Sequence, residues 1–362
     1  MTMLVIFGAG ASHDVAQMGN IWSTPTSGSL EHWPAASPDE FRPPLTPQLF
    51  RGALIDRLLD RYGAASHLIH DARMQVARDA QAFEVEKFLA NYAGSSIRED
   101  ARAVLATRFL LRDYFWACTQ YCLSQLGPGH ANNYAGLLGR VNRWCRPRNE
   151  PLAVVSFNYD LLAEHAFGNV MNKRLEALPW YVSDSDRLLI KPHGSCNWAR
   201  ALYTGADEVR ARYIDHVTAA QAALREWEWT ERHSDEIELV PRLGSGALPT
   251  VPALALPIEG KPGPVCPQTH LDALARTLDG PLSVITVGWR GADDWFLDWL
   301  GEHTARLRAR ALICMAGSRA KDDGHQLAAK LQGKLTDCEA ALHLEGFSKL
   351  QTSTELAAFL ED

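Results

Sequence analysis

The chain lacks a basic excess: 36 Lys and Arg stand against 43 Asp and Glu, a formal charge of -7 over 362 residues. A broad nucleic-acid surface needs clustered cations to meet phosphates, so that class is disfavoured, although a local basic groove is not excluded. Long apolar runs are missing as well, and no stretch approaches the roughly 18 residues that span a membrane. The apolar run at 3–7 has no basic flank and passes straight into glycines, so it reads as a first strand and not as a signal peptide. A cytoplasmic protein is expected. Seven cysteines, at 118, 122, 145, 196, 266, 314 and 338, include no Cys-x-x-Cys pair. That scattered odd set argues against a disulfide framework and against structural zinc, so no metal is expected. Cys118 and Cys122 share one helical face and read as small buried apolar residues. Internal repeats are absent too.

What is present is ordinary globular composition, 46% apolar and 22% charged. The length suits one large α/β domain, or a domain with a substantial insertion. Strand-like runs follow the first one at 152–157, 187–191, 282–288, 311–317 and 341–347. Helical patterns occupy 160–170, about 214–230, 268–278, 293–304 and 321–333. Strands alternating with helices predict a parallel sheet covered on both faces. The expected fold is a single doubly wound, Rossmann-like α/β domain over 1–362, with a helical insertion at about 48–146 after the first strand. Inside that insertion, 104–126 reads as a long buried helix ended by Gly127-Pro128-Gly129. The Pro- and Ser-rich stretch 23–50 reads as an ordered loop over whatever the glycines bind; a disordered surface loop is the other reading. For 203–264 the only expectation is a cover over the crevice.

The opening "VIFGAGASHD" places Gly8-Ala9-Gly10 between a strand and a helix. Such a turn aims backbone N–H groups and a positive helix end at an anion. Gly8 permits the turn, and Gly10 leaves room for a pyrophosphate; a plain tight turn is the other reading. The third glycine of a dehydrogenase fingerprint would fall at 13, where the residue is His13. No second strand with a terminal acid follows some twenty residues later, so a hydride-transfer enzyme is a poor match. Ser12 either caps the helix or bonds a phosphate.

Three further strand ends carry polar side chains. "SFNYD" at 156–160 places Asn158 and Asp160 two apart, on one side of an extended chain. The alternative is an Asn turn with Asp160 as a helix cap. "KPHGSCNW" at 191–198 sets His193-Gly194-Ser195 at a strand end, with an imidazole able to take a proton near neutral pH and a glycine that lets a ligand approach. "VGWRGADDWF" at 287–296 brings Gly288 and then Asp293-Asp294 at a helix start, where helix-dipole pairing is an equal reading.

Taken in order with "GAGAS" at 8–12, "PPLTPQLF" at 43–50 and "FEVEKFL" at 83–89, these stretches resemble the sirtuin-like domain family. They match best its bacterial branch of stand-alone or fused NAD-consuming domains, many of which act in antiphage defence. The resemblance implies that Gly8, Ala9, Gly10, Ala11 and Ser12 cradle the phosphates of NAD, which is substrate. It implies that Asn158 and His193 are the catalytic pair at the nicotinamide ribose. Asp160 corresponds to an acid on the nicotinamide side, and Gly288 to a loop at the adenosine half. Gly194, Ser195 and Asp293 complete the expected cofactor-binding set. Protein-deacylating sirtuins also carry a four-cysteine zinc module, whose spacing is missing here, and with it goes support for an acyl-lysine tunnel.

The expected activity is therefore NAD+ hydrolysis to nicotinamide and ADP-ribose, in a regulated defence effector. A non-catalytic NAD or ADP-ribose sensor and a zinc-free deacylase are the rival readings. The motifs and insertion take up nearly the whole chain, so control is expected from self-assembly into a homo-oligomer and from a separate partner, such as an ATPase or nucleic-acid sensor. That expectation rests partly on family analogy.

Overall fold

The computed structural model describes residues 1–15, 41–45, 48–79, 83–126, 132–201, 236–239, 250–256, 263–278, 280–304 and 308–361. In chain order the described strands are β1 Thr2–Phe7, β2 Leu152–Ser156, β3 Arg187–Ile190, β4 Gly194–Ala201, β5 Glu238–Leu239, β6 Thr250–Leu254, β7 Leu282–Val287, β8 Arg308–Cys314 and β9 Thr336–His343. The α-helices are α1 Ala9–Val15, α2 Ala53–Arg61, α3 Ser66–Arg78, α4 Val85–Ala93, α5 Arg98–Leu126 and α6 Asn133–Cys145 in the first half. The second half adds α7 Leu162–Met171, α8 Gln268–Thr277, α9 Asp294–Thr304, α10 Ala320–Lys334, α11 Phe347–Leu350 and α12 Thr354–Glu361.

Six strands form one sheet in the order β3-β2-β1-β7-β8-β9, parallel throughout. The chain winds outward from β1 through β2 to β3, then returns to the other side of β1 for the rest. This Rossmann-like order has its switch point between β1 and β7, and open sheets of this kind hold ligands just beyond the strand ends there. The cause is visible in the strands themselves. Every residue of β1 (TMLVIF), β2 (LAVVS) and β7 (LSVITV) is buried, as unbroken apolar runs require when helices cover both faces. Among the described residues no helix is long and apolar enough to cross a membrane.

α2 to α5 build a second apolar cluster around the 29-residue α5, where Tyr62 donates to Asp113 at 2.6 Å and Arg112 Nε donates to the same carboxylate at 2.9 Å. The expected insertion ran on to about 146, but α6 lies against the sheet, with Tyr134, Leu137, Leu138 and Val141 in the main core. All seven cysteines are free and buried, and burial pushes the Cys118 and Cys122 thiols well up, as inert core residues.

Several boundaries move. The strand expected at 341–347 is β9 at 336–343, and Phe347 instead starts α11. As an edge strand β9 alternates between exposed and covered residues, so its polar first half hid it. β8, an interior strand, starts at Arg308, its first residues hidden by the arginines at 308 and 310, and the helix expected from 160 starts at Leu162. The small antiparallel sheet β5-β4-β6 was not anticipated. The expected helix at 214–230, the segment Gly127-Pro128-Gly129 and most of the 23–50 loop lie outside the described residues.

His270 ties α8 to this frame. Its Nε2 donates to the Leu178 carbonyl at 3.1 Å, and its ring lies 5.9 Å from Tyr181 and 6.0 Å from Trp198. Burial lowers its pKa from 6.5 to about 4. The unfolded chain thus takes up this proton near pH 6.5 and the folded one only near pH 4, so the stability it lends at neutral pH is lost as pH falls between those values. Urea unfolding is expected to show wild type losing about 2 kcal/mol more than His270→Gln between pH 7 and pH 5. Equal losses in the two proteins would refute this.

A candidate active site at the switch point of the sheet

The turn after β1 is locked to the turn after β7 through backbone alone. Gly8 N–H donates to the Val287 carbonyl at 3.0 Å, Gly10 N–H to the Gly288 carbonyl at 3.2 Å, and Ala11 N–H to the Gly8 carbonyl at 2.9 Å. A Cβ at Gly8 would sit 2.5 Å from the Gly288 carbonyl oxygen, and one at Gly10 would sit 2.9 Å from the Gly288 Cα. Gly288 has φ +60, and its own Cβ would meet the Gly10 Cα at 2.5 Å. The sequence reading gave Gly10 to an approaching pyrophosphate; here that space and that N–H are taken by the β7 turn. Gly288→Ala is therefore expected to cost about 3 kcal/mol or more, from left-handed strain plus overpacking. A thermal melt unchanged by this substitution would show that the interlock is slack.

His13, at the position of the third glycine of a dehydrogenase fingerprint, donates its Nδ1–H to the Pro43 carbonyl at 2.9 Å, while Arg42 Nε donates to the His13 carbonyl. That residue anchors the "PPL" segment on α1. Burial lowers its pKa.

Asn158 follows β2, and the chain bends at 159–161, which breaks the extended run assumed for 158–160. Its Nδ2 donates to the Gly8 carbonyl at 2.9 Å, and reaches Ser12 Oγ at 2.9 Å and Tyr134 Oη at 3.0 Å. A backbone carbonyl only accepts, so this contact fixes the amide's orientation. The Oδ1 on its other side accepts no hydrogen bond from a described residue. Ser12 and Tyr134 are themselves joined at 2.7 Å, and burial holds the Tyr134 phenol far above its usual range, so it stays neutral. The hydroxyl expected to cap α1 or meet a phosphate is thus spent on orienting Asn158.

His193 follows β3. Its Nε2 lies 2.7 Å from Asp293 Oδ1, and Asp293 Oδ2 accepts from the Trp289 indole at 3.2 Å. The imidazole is packed 4.9 Å from the Phe157 ring and 6.2 Å from the Tyr159 ring, the two neighbours of Asn158 in sequence. Phe157 in turn stacks on Trp289 at 5.3 Å. So the turns after β1, β2, β3 and β7 converge: Asn158 rests on Gly8, its neighbours rest on His193, and His193 rests on Asp293. All are largely buried; His193 is 7% and Asn158 6% exposed.

Asp293 was expected to serve as a cofactor contact or a dipole partner at a helix start. Its carboxylate instead holds His193. An imidazole donating Nε2–H to a carboxylate carries its lone pair on Nδ1, and the carboxylate favours the imidazolium that forms on protonation.

Three other expected cofactor contacts face elsewhere. Gly194, with φ +75, turns the chain into β4, and the Ala253 carbonyl of β6 fills the space its side chain would need. Ser195 Oγ is fully buried, donating to Glu164 Oε1 at 2.8 Å and accepting from Lys191 Nζ at 2.9 Å. Asp160 is 1% exposed; its Oδ1 accepts the Leu162 N–H at 3.1 Å in a local turn, and it does not occupy the cap position of α7, which is Leu161. Ala9 and Ala11 continue the first turn of α1, Ala11 inside the core.

No protein-family model matches the chain, and no curated protein matches it. The site therefore stands on its own geometry. Among the described residues no group of three His, Cys, Asp or Glu side chains is arranged to hold a metal ion. Tyr134, Phe157, Tyr159, Trp289 and the Lys191–Glu164 pair were missed in the sequence. Tyr134 sits in an unremarkable helix, and nothing but the fold brings it to residue 158.

Proposed function

We propose that the protein is an NAD glycohydrolase that cleaves NAD+ to nicotinamide and ADP-ribose. The observation that carries this reading is the convergence just described: an oriented amide and a carboxylate-held imidazole, joined through aromatic neighbours, at the switch point of a Rossmann-like sheet. The motif resemblance supports the dinucleotide as the ligand of that crevice.

The chemistry asks little of an acid. Nicotinamide is cationic within NAD and leaves neutral, while positive charge builds on the ribose as in glycoside hydrolysis. The protein must orient the sugar and one water, and must accept the proton that this water gives up. Asn158 Oδ1 accepts from the water or from a ribose hydroxyl. His193 takes the proton, and Asp293 stabilises the imidazolium. The water oxygen bonds to the anomeric carbon as the C–N bond breaks, yielding ADP-ribose, nicotinamide and one proton.

Incubating the purified protein with NAD and quantifying nicotinamide and ADP-ribose tests the reading. Equimolar release, lost in Asn158→Ala and His193→Ala, is expected; unchanged release in both variants contradicts it. We further propose a role as a regulated bacterial antiphage-defence effector that assembles into a homo-oligomer and is held in check by a separate partner, an ATPase or nucleic-acid sensor. Uncontrolled NAD loss would be toxic to the host cell, which is the physical reason for such control.

A further inference from the structure

We propose that Lys191, which touches no part of the crevice in the reading above, is a positioning residue that holds the Asn158 and His193 segments in register. The inference rests on the NAD-hydrolase reading for its kinetic arm only. Lys191 is the last residue before the turn that carries His193, and it is fully buried. Its ammonium reaches the Asp160 carbonyl at 2.6 Å, Glu164 Oε1 at 2.7 Å and Ser195 Oγ at 2.9 Å. A lysine has three N–H donors, and all three are used. Two of the acceptors belong to the chain that leaves Asn158 and enters α7; the third belongs to the chain that leaves His193 and enters β4.

This makes a cross-brace between the chain segments that carry the two proposed catalytic side chains. Ser195 reinforces it by donating to Glu164, and the Cys196 N–H donates to the Tyr159 carbonyl at 2.8 Å. The Leu161 N–H is held by Thr119 Oγ1 of α5 at 3.1 Å, which ties the same bend to the insertion. Stability alone does not account for an ammonium in such a place. A buried ion pair is commonly matched or bettered by apolar side chains of similar volume, because desolvation offsets the attraction. What an apolar pair cannot do is bond two chain segments at three defined points. Glu164 supplies the charge that makes the buried ammonium tolerable, at the expense of its own acidity: burial raises its pKa, and Lys191 only partly opposes this.

The test compares wild type with Lys191→Met and with the double variant Lys191→Met/Glu164→Leu. Lys191→Met strands a buried carboxylate; the double variant removes both charges and is expected to melt at a higher temperature than the single one. Both are expected to release nicotinamide at least tenfold more slowly at saturating NAD, with KM changed less than threefold. Recovery of kcat to within threefold of wild type in the double variant would overturn the proposal, because Lys191 would then only neutralise Glu164.

Hydrogen exchange on the ligand-free proteins decides the link without any activity. In Lys191→Met, amides in 157–163 and 192–197 are expected to exchange at least tenfold faster, while β1, β7 and β8 keep wild-type protection. Unchanged protection in those two segments, or an equal loss across the sheet, overturns the brace. If wild type releases no nicotinamide under any condition, the hydrolase reading fails by itself, and the exchange result still stands or falls separately.

Discussion

Replacing His193 with alanine is expected to slow nicotinamide release by on the order of a hundredfold or more, the usual cost of removing a general base. The leaving group needs no acid, so the loss falls on the proton that the attacking water must shed. Asn158→Ala is expected to cost a similar factor by a different route. Its amide is pinned by the Gly8 carbonyl, Ser12 and Tyr134, so one oxygen is held at a fixed place before substrate arrives. Residues that act on one water lose their effects together, so the double variant is expected to be little worse than either single one. Rates measured by nicotinamide chromatography at several NAD concentrations check this. A double variant whose loss equals the product of the two single losses would mean that the residues act in separate steps.

Asp293→Asn gives the second large effect, and it separates two readings of one residue. If Asp293 contacts the dinucleotide, as the sequence suggested, the substitution raises KM and leaves kcat nearly intact. If it orients His193, as the 2.7 Å contact requires, kcat falls about a hundredfold or more while KM moves less than threefold. The amide keeps the size and the place of the carboxylate, but it cannot stabilise an imidazolium. The indole of Trp289 still finds an oxygen, or loses its bond at 3.2 Å. Steady-state kinetics of this variant beside wild type distinguish the two outcomes.

How far the sequence led can be judged from particular elements. The buried strands β1, β2 and β7 were legible because they are covered on both faces and therefore unbroken in apolar character. β9 was misplaced because an edge strand carries polar residues on its open side. The small sheet of β4, β5 and β6 escaped because its strands come from distant, short and irregular segments, one of them two residues long.

At the site, the sequence picked out the strand ends but misjudged what several groups do there. Glycine next to a motif suggests room for a ligand, yet Gly10 and Gly194 make room for other backbone, the β7 turn and the β6 carbonyl. Ser12 and Ser195 look available on paper and are consumed by Asn158 and by Lys191. Pairing over long separations is the common cause: the Asn158 to Tyr134 and His193 to Asp293 contacts span 24 and 100 positions, which no local pattern announces. Residue type at a strand end indicates that chemistry is possible there. Only the packed chain tells which atoms are left to perform it.

The most direct measurement is a crystal structure of the His193→Ala variant soaked with NAD, in which slow turnover preserves the dinucleotide. The account predicts the nicotinamide ribose lying between Asn158 Oδ1 and the emptied imidazole site. A dinucleotide bound with that sugar out of hydrogen-bond reach of Asn158, or seated elsewhere on the protein, would contradict it.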